Sequence, residues 1–209
     1  MNAVSTLRAT LLAAAIAAGL AGCSDNQEEM SQEEIQYLSH LDQSRFFQRQ
    51  GELKASTQEA RSAIDLQPER AEPYFVILNN LLTAGDAVTT ERQLDYLLEN
   101  LPESAKSKEL LNQAQLIKAE AALMKGNTAD ALRALDEMNS PDRPHQRQAL
   151  LLRGRIYLAA EQLDEAQDTF TEARNLTESS AAPVIGLSRV AYERGDVSQA
   201  RELIAEAEE

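Results

Sequence analysis

The chain has few residues of the kinds that catalyse reactions or bind metals: one cysteine, Cys23, and two histidines, His40 and His145. A lone cysteine cannot form an internal disulfide, and histidines so far apart in sequence are not a local metal-binding pair. The sequence also lacks a glycine-rich phosphate-binding loop and the HExxH and GxSxG motifs. We therefore expect no enzyme activity, cofactor or metal, and interpret His40 and His145 as surface or packing residues, with His145 in the connector PDRPHQ. An enzyme that depends on His145 or a glutamate cluster is the least favoured alternative.

Cys23 lies where an apolar segment gives way to charge. Leu11–Gly22 contains only apolar and small residues and follows a single positive charge, Arg8. The segment is too short to span a bilayer, and its charged start and small-residue exit are typical of a secretory signal. The alternative from these residues alone is an ordinary secreted protein with an unpaired cysteine.

The residues LAGC, which end at Cys23, resemble the lipobox of bacterial lipoproteins. This resemblance implies cleavage before Cys23, a diacylglyceryl group on its sulfur and an acyl group on the new amino terminus. Several acyl chains hold a protein on a membrane surface effectively permanently. The residue after the cysteine is Ser24 and not Asp, which at this position resembles the inner-membrane retention signal of Gram-negative lipoproteins. The resemblance therefore implies anchoring in the outer membrane, facing the periplasm.

The composition favours one acidic, helical domain. The net charge is −14, and loss of residues 1–22 would remove only Arg8 and make it −15. Such a charge argues against nucleic acid and against electrostatic binding to anionic lipid. Aromatic residues make up 4% of the chain and Trp is absent, whereas the helix-forming Ala, Leu, Glu and Gln are abundant.

Self-similarity with a period near 34 residues is the strongest signal. Gly51 and Gly85 are 34 residues apart, as are Pro68 and Pro102. Two columns of mostly small residues continue the series at intervals of 34, 41, 35 and 34: Ser56, Thr90, Ala131, Ala166 and Ala200, then Ala63, Leu97, Met138, Ala173 and Ala207. This pattern resembles the tetratricopeptide repeat (TPR), most clearly in ALLLRGRIYLAAEQLDEAQDTFTEARNL, which places Gly154, Tyr157, Ala166, Phe170 and Ala173 at the family's characteristic positions.

We predict an all-α, right-handed superhelical α-solenoid of about five TPR helix pairs, because no single pair can bury its own apolar face. Each pair should turn at QRQGEL, LTAGDA, LMKGNT, LAAEQL or YERGDV, and Leu94, Leu135, Phe170 and Ile204 should fill the spaces between helices. The predicted organisation is a signal peptide over 1–22, the lipidated cysteine and a flexible tether over 23–35, and a solenoid over 36–209. The predicted units are 37–70, 71–104, 112–145, 147–180 and 181–209, with residues 105–111 lengthening the first helix of the third.

The first helices of the pairs should line a concave groove. One predicted row on them is apolar: Leu41, Phe75, Leu116, Leu151 and Ile185. The row four residues later is polar: Arg45, Asn79, Glu120, Arg155 and Arg189. A third row, which ends at Tyr192, reads Gln48, Leu82, Leu123, Leu158 and Tyr192. These rows suit an extended or helical peptide with apolar side chains and a carboxylate or two. The alternative is that the apolar rows pack between helices and the arginines pair with nearby glutamates.

These features predict a scaffold anchored to the outer membrane that binds protein partners in the periplasm. The helix-Gly-helix segment after the acidic tether resembles TPR lipoproteins that accompany exopolysaccharide export and PEP-CTERM protein sorting. The alternatives are a pilotin-like or assembly factor for type IV pilus secretins or outer-membrane barrels, and an adaptor for cell-wall hydrolases. The C-terminal unit lacks a polar capping helix in this sequence, which also suggests self-association through that end.

Overall fold

The helices are seen in a computed structural model that describes residues 30–176 and 180–208. The lipidation site Cys23, the predicted signal peptide and most of the predicted tether lie outside the described residues. The chain divides into two units between Ile35 and Gln36, and the second unit holds the helical array. Within the described ranges, no helix has the length and apolar character needed to cross a bilayer.

The described chain forms ten α-helices and one short 3-10 helix, without strands. The first helices of the pairs, called A helices below, are α1 (Gln32–Arg49), α3 (Glu72–Thr83), α5 (Lys108–Met124), α7 (Arg143–Ala159) and α9 (Ala181–Glu193). The second, or B, helices are α2 (Leu53–Leu66), α4 (Ala87–Asn100), α6 (Thr128–Asp136), α8 (Leu163–Asn175) and α10 (Val197–Glu208). The 3-10 helix is Glu103–Ala105.

Three predicted boundaries differ from the structure. Residues 32–35 belong to α1 rather than to the tether. Residues 105–111 only partly extend the third A helix, because α5 begins at Lys108 after the 3-10 turn. His145 lies in the first turn of α7 rather than in a connector, because Asp142 caps that helix by accepting a hydrogen bond from the His145 backbone N–H at 3.1 Å.

Helix pairs stack stepwise along the chain. Helices α4, α6 and α8 each contact their own A helix and the next A helix, and successive A helices touch from α3 to α9. The predicted all-α solenoid of stacked helix pairs is therefore confirmed for the described residues. Long-range ion pairs follow the same period: Lys125 contacts Glu91, 34 residues earlier, through Nζ–Oε distances of 2.6 and 2.7 Å.

The turn inside every pair uses a left-handed backbone residue. Gly85 has a φ of 82°, and glycines hold the equivalent position in three other pairs. The fourth pair has Glu161 there, with a φ of 60° and an exposed side chain. A residue with a Cβ is strained in this conformation. The fourth turn therefore lacks the glycine that the other four turns use at this position.

Small residues and one aromatic ring set the helix spacing near the C-terminal end. Ala166 is fully buried, as are Ser56, Thr90 and Ala131 in the same column. Phe170 on α8 lies between Gly154 on α7 and Gly186 on α9, and a Cβ added to either glycine would lie 2.5–2.6 Å from ring atoms of Phe170. The expectation for Ile204 was wrong: it is 48% exposed. Among the described helices the backbone of α10 packs closely only against α9, and its link to α8 is the Arg174–Glu206 ion pair between two partly exposed side chains.

Two polar clusters join the N-terminal helices. The Asn80 side-chain amide on α3 donates to Ser56 Oγ at 2.8 Å and Thr57 Oγ1 at 3.0 Å on α2, and its oxygen accepts from Gln48 Nε2 on α1 at 2.9 Å. In the second cluster the Arg70 guanidinium lies 4.1 Å from the centre of the buried Tyr37 ring.

Arg70 also binds Glu72 in that second cluster, with an Nη2–Oε1 distance of 2.9 Å. Burial, followed by the charge of Glu72, raises the pKa of Tyr37 to about 12. Burial opposes ionisation of Glu72, but the hydrogen bonds it receives, first from Arg70, leave its pKa below the usual value.

Candidate interaction groove

The apolar row of the predicted groove becomes more accessible from α1 to α9. Leu41, Phe75 and Leu116 are buried, with exposed fractions of 3%, 4% and 9%, so they pack between helices. Leu151 is half-buried and Ile185 is 48% exposed. Only the C-terminal half of this row therefore offers apolar surface to a ligand.

The third row is accessible along most of its length. Leu82, Leu123 and Leu158 are half-buried, as is Gln48, while Tyr192 is 64% exposed. The three cavities described next, which lie between A helices from α3 to α9, are not lined by Tyr192, Leu41 or Arg45.

Residues from all three rows meet in an open cavity between α3, α5 and α7. Its volume is about 510 Å³. The predicted groove residues that line it are Asn79, Leu82, Leu116, Glu120, Leu151 and Arg155. The structure thus brings together predicted positions that are as much as 76 residues apart in sequence.

Two smaller cavities continue toward α9, each of about 250 Å³. Arg155, Leu158 and Arg189 line both of them. Phe170, Ile185 and Gly186 also line one of these cavities, although Phe170 itself is buried.

Gln113 and Gln148 were missed by the sequence analysis although both line the cavity between α3, α5 and α7. Each lies three residues before a member of the apolar row, Leu116 or Leu151, and so shares its helix face. A row drawn three residues before the apolar row would have found them. Side-chain amides both donate and accept hydrogen bonds, as a peptide backbone requires of its partner.

Two of the three predicted groove arginines are paired with carboxylates. Arg155 donates to Glu120 Oε1 at 2.7 Å and Oε2 at 2.9 Å. Arg45 Nη1 lies 3.9 Å from Asp42 Oδ1 on the same helix. Among the described residues Arg189 has no carboxylate within ion-pair distance, so it is the groove arginine available to a ligand. The alternative of internal pairing therefore holds for Arg155 and Arg45.

The two histidines are likewise held by carboxylates away from these cavities. His40 Nδ1 lies 2.7 Å from Glu59 Oε2, and His145 Nδ1 lies 2.5 Å from Asp142 Oδ1. The described residues contain no group of three or more His, Cys, Asp or Glu side chains placed to hold a metal ion.

Comparison with known proteins finds similarity in structure alone. No family model matches the sequence, and no curated protein matches it. Among solved structures, TTC0263, a TPR protein of Thermus thermophilus, superposes with a TM-score of 0.70 at 18% identity, over 82% of this chain and 89% of that one. The chain has the TPR fold.

Two further solved structures are similar to this chain, and one of them is a type IV pilus biogenesis factor. PilF of Pseudomonas aeruginosa matches with a TM-score of 0.66 at 12% identity, covering 85% of this chain and 78% of that chain. PilW, a type IV pilus biogenesis factor, matches with a TM-score of 0.64 at 18% identity, covering 81% of this chain and 76% of that chain. At these identities the likeness concerns the fold.

Proposed function

We propose that this TPR protein is a non-enzymatic scaffold that holds a segment of a partner protein in its groove. The observation that carries the proposal is the cavity of about 510 Å³ between α3, α5 and α7. A solenoid that used these helices only to pack against each other would cover Leu82 and Leu151, which instead remain half-buried at the cavity wall.

The wall chemistry suits a peptide rather than a small charged metabolite. Leu82 and Leu151 offer apolar contacts, while Asn79, Gln113 and Gln148 offer amides. Apolar contacts and amide hydrogen bonds together match an extended or helical segment with exposed backbone groups or polar side chains. The bidentate Arg155–Glu120 pair leaves little net charge in the centre, so apolar side chains should dominate recognition there.

The groove proposal is tested by placing a photo-crosslinking amino acid at Gln148, on the groove side of α7. A matched control carries it at Glu172, an exposed position on the B helix α8. We expect a discrete adduct from position 148 that disappears when Leu151→Glu is added, and no such adduct from position 172. Equal adducts from both positions, or an adduct that survives Leu151→Glu, would exclude the groove as the binding surface.

The proposed location is the periplasmic face of the outer membrane, with Cys23 as the lipidated residue. It rests on the LAGC sequence and on Ser24. The test is metabolic labelling with an alkyne-bearing palmitate, followed by membrane fractionation. Wild-type protein should carry the label in the outer-membrane fraction, and Cys23→Ser should lose the label and leave the membrane. Label that persists in Cys23→Ser would refute the assignment.

Exopolysaccharide export or associated protein sorting is the favoured pathway for this scaffold, on the resemblance of its N-terminal repeats. A type IV pilus assembly role is the second candidate, supported by the fold-level likeness to PilF and PilW. Deletion of the gene distinguishes them: loss of secretin multimers favours the pilus role, whereas normal multimers with altered matrix polysaccharide favour export. Co-purification with peptidases or amidases would instead indicate an adaptor for cell-wall hydrolases.

A further inference from the structure

A second pocket lies outside the groove, between equivalent loops of two successive repeats. Its volume is about 290 Å³. Pro68 precedes α3 and Pro102 follows α4, and each forms part of the wall. The remaining lining residues are Glu69, Tyr74, Tyr96, Leu97, Asn100 and Leu101. None of these residues belongs to the groove rows.

Two tyrosines supply the aromatic surface of this pocket. The Tyr74 hydroxyl donates to the Pro68 carbonyl oxygen at 3.1 Å, which ties its side chain across the loop. Tyr96 is 61% exposed, so most of its side chain is accessible to a ligand. Exposed aromatic side chains that line a cavity are suited to a ligand with a flat or cationic group.

The charge around the two tyrosines is negative. Glu69 lines the pocket and has no ion-pair partner among the described residues. Burial raises the pKa of the Tyr74 phenol, and Tyr96, Asp65 and Glu69 raise it further through their charges. The carboxyl end of α4 at Asn100 adds the negative end of a helix dipole. Of the described residues that line the pocket, none is cationic.

The chain itself shows what such a set of groups binds. At Tyr37 an aromatic ring and the Glu72 carboxylate hold the Arg70 guanidinium, at 4.1 Å from the ring centre and 2.9 Å from the carboxylate oxygen. Tyr74, Tyr96 and Glu69 provide the same two kinds of group, ring and carboxylate. Arg70, the next residue after Glu69, is already engaged at Tyr37 and Glu72.

We infer that the pocket of Tyr74, Tyr96 and Glu69 binds an arginine side chain of a partner protein. Arginine is favoured over lysine because its planar guanidinium stacks on aromatic rings while it pairs with a carboxylate. The net charge of −14 also attracts basic segments toward this protein. The pocket thus gives the scaffold a second contact whose chemistry differs from that of the apolar groove.

The inference is tested by titrating the full chain with the capped tripeptide acetyl-Gly-Arg-Gly-amide and following tyrosine ring signals by NMR. The matched probe acetyl-Gly-Gln-Gly-amide has a similar backbone without the cation. We expect saturable shifts of the Tyr74 and Tyr96 signals with the Arg probe only. The signals of Tyr192, an exposed tyrosine on α9, should not move, because Tyr192 does not line the pocket.

Two variants tie the response to the pocket. Glu69→Gln and Tyr96→Leu should each lower the affinity for the Arg probe by about two- to fivefold, the usual range for one exposed cation–π or ionic contact. The controls Glu202→Gln and Tyr192→Leu, both at exposed positions near the other end of the chain, should leave it unchanged. Circular dichroism checks that every variant remains helical.

Three outcomes would overturn the inference. The first is equal response to the Arg and Gln probes, and the second is no shift of Tyr74 and Tyr96 at the highest concentration. The third is binding that both pocket variants leave intact. Because the probe is a tripeptide and the readout is local, failure here leaves the groove proposal and its crosslinking test unaffected.

Discussion

Arg155 on α7 and Glu120 on α5 lie 35 residues apart in sequence and join through two hydrogen bonds of 2.7 and 2.9 Å. They occupy equivalent positions of adjacent units, so the repeat places the two side chains next to each other, where they form an ion pair across the groove. The pair neutralises the charge of Arg155 within the predicted polar row of the groove. It also ties two A helices together on the surface proposed to bind a ligand.

Reversing the charge of this arginine should affect stability modestly. Arg155→Glu removes a half-exposed pair and sets two carboxylates side by side, which should cost about 0.5–1 kcal/mol of unfolding free energy. The measurement is urea unfolding followed by circular dichroism. Arg189→Glu is the control, since Arg189 has no ion pair among the described residues, and it should change stability by less than about 0.5 kcal/mol. A larger loss in Arg189→Glu would show that this side chain is structural.

The close approach of α7, α8 and α9 should make Gly186 intolerant of a methyl group. Gly186→Ala would place a Cβ 2.5 Å from the Phe170 ring, so overpacking should cost about 1–3 kcal/mol. Adding Phe170→Leu should recover part of this loss, because a smaller side chain relieves the overlap. Strict additivity of the two substitutions in urea unfolding would contradict the packing seen here.

The buried amide of Asn80 should matter more than that of its neighbour. Asn80→Ala leaves Ser56, Thr57 and Gln48 without their shared partner and should cost about 1–3 kcal/mol. Asn79→Ala is a matched control, because Asn79 is half-buried at the groove wall, and it should cost less than about 0.5 kcal/mol. Similar losses for both would mean that the polar network does not contribute.

The sequence was informative wherever the period alone decides the structure. Gly51 and Gly85, 34 residues apart, predicted turns that the structure confirms with positive φ values. The same period set the column of small residues from Ser56 to Ala166, which are buried where helices meet. Such features depend on local backbone preference and on apolar spacing, both of which are visible in a single sequence.

The groove was harder to predict because exposure depends on how far neighbouring helices overlap. Leu41 and Leu151 hold equivalent positions in the pattern, yet the first is buried and the second is half-buried. The pairing of Arg155 with Glu120 needs the distance between two helices, which spacing along one helix does not provide. The shared amide of Asn80 likewise depends on three helices meeting.

The fourth turn offers a stabilising substitution. Glu161 has a φ of 60° and an exposed side chain, so Glu161→Gly removes backbone strain without removing a packed group. Part of the gain is offset by the greater freedom of glycine in the unfolded chain, and we expect a net increase of up to about 1 kcal/mol. Gly85→Ala, at the equivalent turn of the second pair, should shift the urea midpoint in the opposite direction. A loss of stability in Glu161→Gly would show that this side chain makes a favourable interaction.

The buried phenol of Tyr37 should make the protein less stable in alkaline solution. Its pKa is raised from 10.0 to about 12, so between these values the unfolded chain loses the proton while the folded chain keeps it. Linkage then stabilises the unfolded state: the contribution is complete below pH 10 and falls by on the order of 2 kcal/mol as the pH rises toward 12. Glu72 and Arg70 face the same hydroxyl and ring, but neither changes charge in this range.

Urea unfolding at a series of alkaline pH values should show this decline in the wild type and in Tyr192→Phe, whose phenol is exposed. Tyr37→Phe, which cannot ionise, should show a shallower decline, and parallel curves for Tyr37→Phe and wild type would contradict the assignment.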